Sequence, residues 1–431
     1  MWPEFIRRLL DPVRTNRTPA VALVCAWGVF AIVTHWNSPA SDLWGLYMAG
    51  HFLAEGKPEL VYAAIANYSH GTPPAWQPAV ESLGIPHNLA FAYLYPPIWA
   101  WLASWVVPLA SPPAFHHGFL VLNVSLIAAS VFLARRICRP TNLSLFTWCF
   151  AACLLAQISV FSQTALFFNQ PQIIVTFLVL LSFERLVAGA DRTAGAILAV
   201  AAAMKLLPGA FLVIMLVEKR WRAAGAFAVT CLVFAGASLL ITGPEIHRDF
   251  AATLEKASGT LRTVPANASA QLALAAVLSY LGVADPKVLS AVAGTPVFHA
   301  ISWFMRLFLV AGFALFVRRM TTLPDQRRIA FLLLALSVLL TLSSPIGWLH
   351  YYLLPLLLLP ALVGVHHGRG WILFYAFAIT LTSQSVFSWL VLDLGLTWEW
   401  TATGFTALWL AVLADLYRIA HKPAPIPRPT I

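Results

Sequence analysis

A carboxylate at the edge of an apolar segment sets the chemical question for this chain. Asp42 stands in Ser41-Asp42-Leu43-Trp44-Gly45-Leu46-Tyr47, directly after the first hydrophobic run. At an apolar boundary a carboxylate gains proton affinity and can serve as a general base toward a hydroxyl. The position also suits a helix N-cap, because Ser41-Asp42 precedes an apolar helix start. Position alone leaves both roles open. Lys205 is the second pointer, the only charge in Ala194–Val217. An ammonium in a membrane segment needs an anionic partner or a wet cavity. Its partner is either the phosphate of a lipid carrier or an internal carboxylate such as Glu184 or Asp191. Arg306, in Val297–Val317 with His299 a turn or two earlier, raises the same question. Facing one cavity with Lys205, these groups would make a phosphate site, since Arg binds bidentately and Lys as a point charge.

Three polar stretches lie between apolar ones. Tyr93-Leu94-Tyr95-Pro96-Pro97 reads as a helix start, because proline costs little in the first turn, or as a rigid wall of a pocket under the loop. Asn169-Gln170-Pro171-Gln172 opens another apolar segment, where amides cap the helix or meet sugar hydroxyls. Ser343-Ser344-Pro345-Ile346-Gly347-Trp348-Leu349-His350-Tyr351-Tyr352 gathers a histidine, an indole, tyrosines and hydroxyls, dense for a plain turn. The five cysteines lack metal-site spacing with companion histidines. Walker and dinucleotide loops, the His-Glu-x-x-His pair and the Gly-x-Ser-x-Gly elbow are missing from the sequence. No metal site and no cofactor are expected.

The elements that must position these groups are membrane helices. The 431 residues are 60% hydrophobic and 10% charged, with mean hydropathy +0.78. A soluble domain carries about a quarter charged residues. In lipid only helices or closed barrels satisfy their backbone, and continuous apolar runs exclude barrel alternation. The expected fold is therefore all-α and polytopic. The net charge of +10 sits at segment ends as topology anchors rather than in one nucleic-acid patch. Residues 1–18, with Arg7, Arg8, Arg14 and Arg17, read as a cytoplasmic N-terminus of a plasma-membrane protein. A single membrane domain follows over 19–420, with a first extracytoplasmic loop at 37–90 and a second large extracytoplasmic segment at 243–295. A cytoplasmic tail occupies 421–431. Spans are expected near 19–36, 91–110, 114–134, 143–161, 171–187, 194–217, 223–242, 297–317, 328–343, 350–365, 371–391 and 402–418, about 12 in all. A further helix near 268–283 reads as interfacial. Simple alternation places Arg135, Arg136 and Arg139 outside, against the positive-inside tendency. A re-entrant or broken segment between 91 and 217 would repair this, with Pro96-Pro97, Pro171 and Pro208 as break points.

Taken in order, these stretches resemble glycosyltransferase family 87, membrane enzymes of the GT-C type that use polyprenyl-phosphate sugars. Its best-known members extend mycobacterial phosphatidylinositol mannosides. Asp42 with Tyr47 and Gly56 resembles the family's acidic loop, and Tyr95-Pro96-Pro97 its Tyr-Pro-Pro. Asn169-Gln170-Pro171-Gln172 is similar to Gly-Gln-x-Asn, with Asn for Gly and Gln for Asn. Met204-Lys205-Leu206-Leu207-Pro208 followed by Lys219-Arg220-Trp221-Arg222 resembles Lys-x-x-Pro and a basic turn. Asn267-Ala268-Ser269 resembles Asn-Gln-Ser. Ser344-Pro345-Ile346-Gly347-Trp348-Leu349-His350 resembles Ser-Pro-x-x-Trp-x-His, with Tyr351 where the family has a second histidine. The resemblance implies transfer of a hexosyl or pentosyl unit, mannose first, to a lipid or glycan hydroxyl on the extracytoplasmic face. Asp42 would be the base, and Lys205, then Arg306 and His350, would stabilise the leaving lipid phosphate. Tyr47, Tyr95, Gln170, Gln172, Asn267 and Trp348 would line the substrate. Two other classes share the membrane setting: a flippase of lipid-linked sugar, and a non-catalytic subunit of an envelope-assembly complex. The sequence leaves oligomeric state unknown.

Overall fold

The computed structural model describes residues 11, 17–63, 71–259, 261–264, 266–292, 294–363, 365 and 369–420. Arg7, Arg8 and Arg14, the His366-His367-Gly368 turn and the tail 421–431 lie outside the described residues. The described residues form helices joined by short turns, with only two isolated β-bridges, Ser159–Ser383 and Asn267–Trp348. Six helices are long and apolar enough to cross a membrane. The protein is a multi-pass, all-helical membrane protein.

The first crossing is α1 (Arg17–His35), followed by α2 (Ser41–Ala54) and α3 (Pro97–Val106). Next come α4 (Pro112–Cys138), α5 (Leu145–Ile158), α6 (Val160–Phe167), α7 (Gln172–Val187) and α8 (Asp191–Met204). The helices α9 (Leu212–Val217), α10 (Trp221–Thr242), α11 (Pro244–Ser258) and α12 (Ala270–Tyr280) follow. The chain closes with α13 (Pro296–Arg319), α14 (Asp325–Ser343), α15 (Leu353–Leu358), α16 (Arg369–Leu381) and α17 (Trp398–Ile419). A helix apolar on every side belongs inside a bundle, and α14 is that helix: 83% of its apolar stretch is buried, against 6% for the peripheral α10. Ser337 and Thr341 on α14 donate to the carbonyls of Leu334 and Ser337, so its hydroxyls are satisfied without leaving the core.

Polar contacts tie one end of the bundle together. Arg136 meets Glu184 at 3.6 Å, Arg220 meets Asp191 at 3.7 Å, and Arg328 meets Glu218 at 2.6 Å. Gln326 donates to the carbonyls of Arg136 and Ile137, and Arg319 to that of Tyr417. These contacts gather the ends of α4, α7, α13 and α17 with the starts of α8, α10 and α14 at one basic end. Asp42 lies at the other.

Two expected spans are therefore not spans. The described residues between 36 and 111 stay at the Asp42 end: α3 packs on α2, and Tyr47 donates to the Ala110 carbonyl at 3.3 Å. One face of the run 91–110, with Tyr93, Ala100, Ala103 and Val107, is buried in a second core with Phe52, Trp76 and Val80, while Leu102, Trp105, Val106 and Leu109 stay exposed. Residues 191–217 form a re-entrant hairpin. The segment starts beside Arg220, rises through α8 to Lys205, and returns through α9 to Glu218 at the same end. Pro208 causes the turn, since its ring clashes with the carbonyl four residues back and α8 stops at Met204. Among the described residues, then, neither 91–110 nor 194–217 passes from one end of the bundle to the other. This places Arg135, Arg136 and Arg139 with the other arginines, as the positive-inside tendency asks.

Candidate functional site

The site forms where α2, the 91–96 stretch, the 168–171 turn, the hairpin tip and the 344–352 turn meet. The first residue of α2 follows Ala40, held in the left-handed region at φ 51, and no side chain caps this helix. Asp42 is thus not an N-cap. Its carboxylate accepts a hydrogen bond from the Gln170 side-chain amide instead. Backbone bonds fix its mount: Ala40 donates to the Phe167 carbonyl at 3.2 Å, and Phe91 to that of Ser41 at 3.1 Å. At Gly45 an added Cβ would lie 2.6 Å from the Phe91 carbonyl oxygen, so only glycine lets α2 sit this close to the segment carrying Tyr95.

Gln170 is the hub. Its amide nitrogen donates to Asp42 and its carbonyl accepts from the Tyr95 hydroxyl at 3.4 Å. The residue before it carries a support that the sequence reasoning missed. Asn169, at φ 47, donates to the His116 carbonyl at 2.9 Å and to His116 Nδ1 at 3.1 Å, and accepts from Asn123 at 2.8 Å. His116 Nε2 is 3.1 Å from the Trp36 carbonyl, which fixes the Nε2–H tautomer and leaves Nδ1 to accept. Asn123, a buried amide in the middle of the apolar α4, was the signal available in the sequence.

Lys205 stands at the hairpin tip with extended backbone (φ −153, ψ 128). Its Nζ lies 4.3 Å from the Tyr351 ring centroid and 5.6 Å from that of Tyr95. It is close enough to act electrostatically on both Asp42 and His350. Glu184 and Asp191 are committed to arginines at the basic end and do not serve it. Trp99 pins the tip through a 2.6 Å bond to the Ala203 carbonyl. Burial pushes the Asp42 carboxyl up to about 7, with the Lys205 charge and the Gln170 hydrogen bond pulling the other way.

His350 is buried between Trp348, parallel to it at 6.3 Å, and Tyr351, edge-on at 4.9 Å. Its Nε2 is buried with no hydrogen-bond partner, as is Gln172 Oε1 at the start of α7. Buried polar atoms are rarely left unpaired. These two are the natural contacts for a ligand.

Three expected site residues serve elsewhere. Arg306 is exposed on the outward side of α13, its guanidinium 4.8 Å from the exposed Trp303 ring, and His299 is likewise exposed; neither joins Lys205. A helical face turned to the surroundings carried it outward, which apolar periodicity did not reveal. Asn267 spends its amide on backbone: it donates to the Arg262 and Pro345 carbonyls and accepts from Ser269 and Gly347. It staples the 266–269 segment to the 344–348 turn and so holds His350 in place. Tyr47 is buried against Trp44 and Phe115 and fixes α2 on the outer core. Among the described residues, no three His, Cys, Asp or Glu side chains converge on a metal position.

The arrangement brings a carboxylate held by Gln170, an ammonium and a buried imidazole near one another. The family model of glycosyltransferase family 87 matches residues 93–345, more than half of the chain. That segment carries Tyr95, Gln170 and Lys205; Asp42 precedes it and His350 follows it closely. No curated protein matches the chain. The chain belongs to glycosyltransferase family 87 and is a membrane glycosyltransferase.

Proposed function

We propose that the protein transfers a sugar from a polyprenyl-phosphate donor to a hydroxyl of a lipid or glycan acceptor, with inversion, using Asp42 as general base. The observation that carries this is the pairing of the Asp42 carboxylate, held by Gln170, with the Lys205 ammonium across a site walled by Tyr95, Tyr351 and His350. The acceptor oxygen loses its proton to Asp42 and bonds to the anomeric carbon from the face opposite the phosphate. The bond from that carbon to the phosphate oxygen breaks, and the electron pair leaves on the lipid phosphate. This leaving group is already an anion, so it needs cations and donors more than a general acid. Lys205 supplies the charge, and His350 Nε2 a hydrogen bond. Gln172 Oε1 and Trp348 are assigned to the sugar, the amide to a hydroxyl and the indole to the ring face.

The arginine-rich end is assigned to the cytoplasm, which puts Asp42 on the extracytoplasmic side. The resemblance to mannoside-extending enzymes makes mannose the first sugar to test. The test incubates membranes holding the protein with radiolabelled mannosyl, glucosyl and arabinosyl polyprenyl phosphates. Lipid-extractable label from one donor, and none from nucleotide sugars, is the expected result. Labelling from a nucleotide sugar in extracts free of polyprenol would overturn the donor assignment.

A further inference from the structure

The contacts at the basic end leave room between three helices. A cavity of about 540 Å3 lies between α1, α4 and the start of α5. Its lining combines four arginines, Arg17, Arg135, Arg136 and Arg139, with apolar Val21, Phe132 and Leu145. The volume falls within the range of ligand sites. Asp42 sits near the opposite end of α4, whose 27 residues span ~40 Å, so the cavity is separate from the reaction site.

Arg17, Arg136 and Arg139 are exposed here, and Arg135 is half-buried. Arg135 gives one bond to the Leu143 carbonyl at 3.1 Å, while its Nε is buried with no partner. Arg136 reaches Glu184 only at 3.6 Å, and that carboxylate already holds Arg185 through bonds of 2.5 and 2.8 Å. One negative charge is therefore shared by two arginines, and none of the cavity's lining residues is acidic. Arg139 closes α4 at φ 40, a left-handed position that glycine ordinarily fills. Keeping a cation there costs about 1 kcal/mol of backbone strain. The α4 carbonyl end offsets part of the positive charge but not four guanidiniums.

We infer that this cavity binds the phosphate headgroup of an anionic phospholipid from the leaflet at the basic end, with an acyl chain running along Val21, Phe132 and Leu145. Guanidinium forks match phosphate oxygens. The half-exposed Val21 among the apolar lining residues favours an amphiphile over a free anion. Basic pockets between membrane helices are recognised sites for such headgroups.

The test titrates purified full-length protein in a neutral detergent with dioctanoyl phosphatidylglycerol, dioctanoyl phosphatidylcholine or inorganic phosphate, reading the shift in Tm. The key variant is Arg139→Gly, which relieves the strained backbone and so stays folded while losing one cation; Arg135→Gln is the second. The exposed Arg248→Gln, at the other end, is the control. Wild type should gain several degrees from phosphatidylglycerol, little from phosphatidylcholine, and less from phosphate than from the lipid. Arg139→Gly should need at least about tenfold more phosphatidylglycerol, the loss of one charge-assisted hydrogen bond, while Arg248→Gln matches wild type. Equal shifts from both lipids, or an unchanged titration in both cavity variants, would overturn the site. A full shift from phosphate alone would replace the lipid by a soluble phosphate compound and overturn the lipid assignment.

Discussion

At the scale of the residue, the proposed mechanism turns on Asp42, bonded to Gln170 rather than to its own helix. Removing a general base costs about 100- to 10,000-fold in rate. Asp42→Asn keeps the hydrogen-bonding shape, so steady-state transfer should fall by that range while Tm stays within a degree or two of wild type. The Asp42 carboxyl is pushed up to about 7, and the base form is the carboxylate. The rate should therefore fall as pH drops through about 7. Gln170→Leu removes a bond that stabilises the carboxylate, and Lys205→Met removes a charge that does the same. Both variants should move this acidic limb to higher pH, read from kcat against pH; an unmoved limb would assign the titration to another group. The sequence made Asp42, Lys205, Tyr95 and His350 visible because charges and rings at apolar boundaries need partners. It did not separate Asn267 from this set, because an amide that binds sugar and one that staples a turn are the same residue type until its four partners are known. Arg306 stands apart from Lys205 and is exposed, because an arginine on a helix shows its spacing but not which side of the helix meets the bundle.

At the scale of the element, the hairpin of α8 and α9 is what delivers Lys205. Its position relies on close packing: an added Cβ at Gly195 would lie 1.9 Å from the Ala223 carbonyl oxygen of α10. Gly195→Leu should force α8 from α10, displace Lys205, and lower both Tm and transfer, while Gly118→Leu, which faces open space, should leave both near wild type. Trp99→Phe keeps the ring but loses the bond to the tip. It should reduce kcat with little change in Tm, read by paired kinetic and melting measurements. The break itself was legible, since Pro208 marks it in the sequence. Its consequence was not, because a broken apolar stretch of 24 residues, 194–217, fits a kinked span as well as a hairpin. The same ambiguity made α3 look like a span. Hydropathy measures how apolar a segment is, and α3 spends one face on α2 while Leu102, Trp105 and Val106 stay exposed.

At the scale of the whole molecule, ion pairs gather Arg136, Arg220 and Arg328 at one end and leave Asp42 at the other. Cysteine substitution separates this from the twelve-span order. With α3 and the α8–α9 hairpin not crossing, Arg139→Cys and Lys57→Cys should react with a membrane-impermeant thiol reagent from opposite sides; labelling of both from the outside would restore the twelve-span order. The basic end also locks the hairpin to the bundle through the pair of Arg328 with the nearly buried Glu218. Arg328→Ala strands that carboxylate and should cost about 3–5 kcal/mol, visible as a large fall in Tm. The most direct measurement is single-turnover transfer from a labelled polyprenyl-phosphate sugar by purified wild type and Asp42→Asn, with donor binding measured in parallel. Loss of transfer with donor affinity retained is the predicted result. Transfer by Asp42→Asn at the wild-type rate would contradict the assignment of Asp42 as the base.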